Sequence, residues 1–138
     1  MYSKIMVPVD LAHIERLEKA LSTAADLAKL YNLPVRYIGV SASAPSKIAH
    51  TPEEFSQKMK AFGQSQAEKY GLTDVTTAAY ISHDPAVDLD DTLLKAAHDS
   101  GADLVVMASH VPGLAEHIFA SNAGYFASYS DVSVLVVR

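Results

Sequence analysis

LVVMASHVPGLAEHIFASNAGYFASYSDVSVLVVR (Leu104–Arg138) decides the fold. An apolar run, Leu104 to Met107, stops abruptly in the small and polar residues Ala108, Ser109 and His110. Ser121 and Asn122 then read as a helix start, and a second apolar run follows from Val132 to Val137. Strand, loop, helix, strand is one unit of a parallel sheet. Its loop falls beyond the carboxyl end of a strand, where open α/β sheets bind ligands. The amides opening the next helix form a natural anion site.

Working outward, three more short runs rich in β-branched residues precede this unit, Ile5 to Val9, Val35 to Val40 and Val75 to Ile81; with Leu104 to Ala108 and Val132 to Val137 they make a set of five. Such runs suit strands buried between helix layers. Between them Leu17, Leu21, Ala24, Ala25 and Ala28 make one apolar helix face. Phe55, Met59, Phe62, Gln66 and Tyr70 make a second, with Thr51 as N-cap, Pro52 at the first position and Glu54 closing a capping box. Asp84-Pro85 opens a third helix carrying Val87, Leu89, Leu93, Leu94, Ala97 and His98, and Gly101 ends it. A fourth spans about Ile118 to Tyr129.

Alternating strands and helices with right-handed crossovers predict one α/β domain over residues 1–138. The expected architecture is a five-stranded parallel doubly wound sheet, order 3-2-1-4-5, with helices on both faces. The switch point then lies between the first and fourth strands. Pro8-Val9-Asp10 and Met107-Ala108-Ser109 face each other there, and Ser41 to His50 reads as a loop over the same edge.

Composition narrows the function. A net charge of −5 with scattered Lys and Arg argues against a nucleic-acid surface. No apolar stretch approaches the roughly 18 residues of a membrane span, and the N-terminus lacks the features of a signal peptide, so a cytoplasmic protein is expected. The absence of cysteine excludes disulfides and thiolate metal sites. GxxxxGK[ST], GxGxxG and GxSxG are all absent. His110, Glu116 and His117 could supply two nitrogens and a carboxylate to a metal, yet Val-Pro-Gly interrupts any shared helix, and loop or cap roles explain them as well. His13, His50, His83 and His98 read as single residues at element edges. Asp10 suits a turn cap, or an acceptor for a sugar hydroxyl or adenine amino group at the cleft mouth.

VPVD (Val7 to Asp10), DLVVMASH (Asp103 to His110) with Pro112, SNA (Ser121 to Ala123) and SVLVVR (Ser133 to Arg138), in this order over the whole chain, resemble a universal stress protein. ASHxP with SNA is similar to the small enterobacterial subgroup. The resemblance implies the fold inferred above, a homodimer through the last strand (Val132 to Arg138), and binding of ATP or AMP, with Mg²⁺. By that resemblance Pro8, Val9 and Asp10 lie near adenine and ribose, and Val40 packs on the base. Met107, Ala108, Ser109, His110 and Pro112 form the fourth-strand turn, and Ala120, Ser121 and Asn122 the phosphate turn.

Many members place glycine at three loop positions where this chain has Ala108, Val111 and Ala120. Alanine resists positive φ by about 1 kcal/mol. From Ile81 to Val137 the only Lys or Arg is Lys95. One missing charge-assisted contact costs about 1.5–3 kcal/mol, roughly ten- to hundredfold in affinity. Two readings therefore stand beside each other: a non-catalytic adenine-nucleotide-binding stress protein, and a dimeric interaction module that has lost the nucleotide. A slow ATPase is the third, with His110 and Asp10 as its candidate bases.

Overall fold

The structure, a computed structural model, describes residues 1–109, 120–129 and 131–138. Its sheet has five strands: β1 (Ile5–Val9), β2 (Val35–Ala42), β3 (Val75–Ser82), β4 (Leu104–Ala108) and β5 (Ser133–Val137). Every pairing is parallel, in the order β3-β2-β1-β4-β5. The expected order is thus the observed one. β1 and β4 are buried along their whole length, as the central strands of a covered sheet must be.

The helices are α1 (Glu18–Tyr31), α2 (Pro52–Tyr70), α3 (Pro85–Ser100) and α4 (Ala120–Tyr129). On α1, Leu21, Ala24, Ala25 and Ala28 are buried, with Leu17 just before it. Asn32 ends α1 in the left-handed region, φ 55°, with its N–H on the Ala28 carbonyl. Thr51 Oγ1 accepts from the Glu54 N–H at 3.1 Å. The return bond of the capping box shifts by one residue: Glu54 Oε2 accepts from the His50 N–H at 3.0 Å. That bond holds the Glu54 carboxyl below its ordinary range, with Lys58 assisting against the cost of burial.

Two glycines remove side chains from the contact between α2 and the sheet, where a Cβ would not fit. A Cβ on Gly39 of β2 would meet Met59 Sδ at 2.5 Å and Phe55 Cζ at 2.8 Å. A Cβ on Gly63 of α2 would collide with the Thr77 methyl of β3. Tyr37 of β2 lies beneath the same helix, its ring edge-on to Phe62 at 5.3 Å between centroids.

Some boundaries differ from expectation. β2 and β3 extend to Ala42 and Ser82, because their ladder continues through Ser41↔Ile81 and Ala42↔Ser82. β5 begins at Ser133 rather than Val132. α4 is described over Ala120–Tyr129, ending where expected, and its expected start near Ile118 lies outside the described residues. On α3, Leu89, Leu93 and Ala97 are buried, whereas Val87 is 73% exposed and His98 faces solvent. At about 100° per residue, Val87 stands some 200° around the helix from Leu89.

Candidate functional site

Proline is unexpected inside a central strand, since it cannot donate to the ladder. Ile5 donates its N–H to the Pro34 carbonyl, so Ile5, Val7 and Val9 turn their backbone groups toward β2. Met6 and Pro8 accordingly face β4. The β1–β2 register runs through all five residues of β1, from Ile5↔Val35 to Val9↔Gly39. The β1–β4 register holds only Ile5↔Leu104 and Met6↔Val105. Pro8 is the next residue facing β4, and it has no N–H to offer. The carboxyl ends of β1 and β4 are therefore not joined by the ladder, at the point where the strand order reverses.

Asp10 follows directly. It caps the 3-10 segment Leu11–Leu17, with Oδ1 accepting from the Ala12 N–H at 3.0 Å. Oδ2 lies 3.1 Å from His13 Nδ1, and the Asp10 carbonyl accepts from the His13 N–H at 3.0 Å. His13 itself breaks the 3-10 segment, at φ −138° and ψ 41°. About a quarter of each side chain stays accessible, 25% for Asp10 and 26% for His13. One step beyond the Val9↔Gly39 pair, Asp10 stands level with Val40, which is half-buried.

Across the switch point Met107 and Ala108 are buried and Ser109 is half-buried. The Ser109 N–H is already committed: it donates to the Val137 carbonyl at 2.8 Å, extending the β4–β5 ladder by one residue. Ala120, Ser121 and Asn122 open α4. His110 and Pro112 lie outside the described residues, as do Val111, Glu116 and His117. Pro8, Val9, Asp10, Val40, Met107, Ala108 and Ser109 thus fall at the carboxyl ends of β1, β2 and β4. Among the described residues no three His, Asp or Glu side chains gather as metal ligands.

The loop after β2 is pinned rather than open. Ser46 Oγ accepts from the N–H groups of Ile48 and Ala49 at 3.2 and 3.3 Å, and Lys58 Nζ donates to the Ile48 carbonyl. Ala49 is buried in the core. His13 is the residue that a reading of single side chains misses. The signal was an aspartate at a strand end with histidine three positions later, a spacing that lets the imidazole fold back onto the carboxylate.

The sequence pattern of the universal stress protein family matches residues 1–138. The chain belongs to that family. Universal stress protein G of Shigella flexneri is 28% identical over a 153-residue alignment covering all of both chains. Among solved structures, a universal stress protein in complex with cAMP superposes with a TM-score of 0.69 at 19% identity, over 99% of this chain and 97% of that one. The universal stress protein from Archaeoglobus fulgidus in complex with dAMP gives a TM-score of 0.67 at 20% identity, over 99% and 98%. At such identities the likeness carries the fold. Among the described residues no helix is long and apolar enough to cross a membrane.

Proposed function

We propose that this universal stress protein is a non-catalytic adenine-nucleotide-binding stress-response protein of the cytoplasm, acting as a homodimer. The observation that carries the reading is the gap in the β1–β4 ladder at Pro8, with a partly accessible Asp10 at its mouth. Asp10 would accept from a ribose hydroxyl or the adenine amino group, since each carboxylate oxygen keeps a lone pair beyond its present bond. Val40 would pack on the base. The turns at Met107–His110, with Pro112, and at Ala120–Asn122 would hold the phosphates, aided by Mg²⁺ with ATP. That two structural neighbours bind cAMP and dAMP supports an AMP-like ligand.

A second reading has its own support. The Ser109 amide and both Asp10 oxygens already have protein partners, and Ala108 stands where many members have glycine. These features favour a dimeric module of the same family that dispenses with nucleotide. Dimerisation is common to both readings: β5 is an edge strand, with Leu135 37% and Val136 39% exposed. An apolar edge without Lys or Pro invites pairing, most simply about a two-fold axis.

The test that separates them is to purify the protein from cells, denature it, and identify released small molecules by chromatography with adenine absorbance. Near-stoichiometric adenine nucleotide supports binding. Nucleotide-free protein that also gives no calorimetric signal with millimolar AMP or ATP supports the second reading.

A further inference from the structure

We propose that a recess at the outer edge of β3 is a second ligand site, built for a small organic anion: a carboxylate or phosphate group on an apolar body. The recess encloses about 490 Å³ between α2 and the start of β3. That volume lies within the range of small-molecule sites. It sits at the amino ends of β2 and β3, at the opposite end of the sheet from Asp10, and is independent of the nucleotide reading.

Its polar lining is Arg36, Lys60, Gln64, Thr73, Thr76 and Thr77, over an apolar floor that includes Leu72 and Val75. No carboxylate lines it, although the chain carries 16 acidic residues against 11 Lys and Arg. Neither Arg36 nor Lys60 has an ion-pair partner among the described residues. Asp99, the acid that accepts from Tyr80 Oη at 3.1 Å, makes no ion pair with Arg36. The Arg36 side chain is only partly satisfied. Nη1 reaches Thr76 Oγ1 at a long 3.3 Å, and Nε is covered without any acceptor. A guanidinium placed so gains by turning toward an anion, which its planar fork can hold with two parallel bonds.

The backbone adds donors of its own. Val35 N–H donates to the Asp74 carbonyl, so Asp74 and Thr76 face β2 while Val75 and Thr77 turn their N–H groups to the open edge. Gly63 against Thr77 brings α2 close enough to wall the recess. Two unpaired cations, three hydroxyls and outward amides make a donor-rich pocket in an acidic protein. The complementary ligand is anionic.

The experiment is an amide-resolved NMR titration of the full chain with benzoate, phenyl phosphate, inorganic phosphate and, as a neutral control, benzamide. The expected result is saturable shifts at the amides of Gln64, Thr73, Thr76 and Thr77 with both aromatic anions, weakened by salt, and none with benzamide. Inorganic phosphate acting as well as phenyl phosphate would overturn the apolar body. Lys60 is exposed, so Lys60→Gln should keep the fold and weaken binding about tenfold, the worth of one charge-assisted contact. Arg36→Gln should do the same. The proposal is overturned if millimolar anions leave these amides unmoved, if benzamide moves them equally, or if Lys60→Gln, with an otherwise native spectrum, binds unchanged. Shifts confined to Asp10 and Val40 would also overturn it while leaving the nucleotide reading intact.

Discussion

Tyr37→Phe should stabilise this protein, and by an amount that grows with pH. Tyr37 has no exposed surface, and its hydroxyl has no hydrogen-bond partner among the described residues. An unsatisfied buried hydroxyl costs about 1–3 kcal/mol. Phenylalanine keeps the edge-on contact with Phe62, at 79° between ring planes, and deletes only the stranded oxygen. At pH 7 the variant should therefore gain about 1–2 kcal/mol. Burial, with Tyr70 close by, pushes the Tyr37 phenol from 10.0 up to about 12. The folded chain thus holds this proton more tightly than the unfolded chain. The resulting contribution is complete below pH 10 and is lost as pH rises toward about 12. Two pKa units amount to about 2.7 kcal/mol. Urea unfolding followed by circular dichroism, at neutral pH and then in steps through the alkaline range, measures both parts. A variant less stable at pH 7, or an advantage that does not widen with pH, would refute the reasoning. The first outcome would mean that the phenol is hydrogen-bonded in solution, and Gln66 Oε1, a buried acceptor also without a partner, would be the first group to test.

Asp103 gives the opposite sign at acid pH. Burial opposes its ionisation, but N–H groups of Lys4 and Ser3 and the Ser3 hydroxyl outweigh this and hold the carboxyl below 3.8. Its contribution is present above that value and lost as pH falls through the lower folded pKa, so Asp103→Asn should be destabilised at pH 7 and converge on the wild type in acid urea titrations. Val136→Pro removes one edge amide of β5 and should turn a light-scattering dimer into a monomer while preserving the helical circular dichroism. An unmodified chain that is monomeric at high micromolar concentration contradicts the edge-pairing account.

The order of elements could be read from the sequence in part because α2 and α3 carry their own punctuation. Thr51-Pro52 and Asp84-Pro85 open α2 and α3, while Gly71 and Gly101 close them at φ 66° and 69°. Strand ends were harder to read. Ser41 and Ser82 are polar, yet backbone pairing extends β2 and β3 through them. The placing of Pro8, Asp10 and Met107 at the carboxyl ends of their strands followed from topology, whereas the partners of these groups did not. The His13 contact with Asp10 and the capture of the Ser109 amide by Val137 depend on local turns and strand register that no periodicity encodes. Arg36 and Lys60 looked like scattered surface charges because their proximity is a product of α2 packing across β3.

On the proposed reading, the unjoined carboxyl ends of β1 and β4 form an adenine-nucleotide site organised by Asp10. Isothermal calorimetry with AMP, comparing wild type with Asp10→Ala, tests it most directly. Loss of one hydrogen bond to a charged acceptor should weaken AMP about ten- to hundredfold, with the fold checked by an unchanged circular dichroism spectrum. A wild-type protein that gives no heat with millimolar AMP, or an Asp10→Ala variant that binds it as tightly, would contradict the claim.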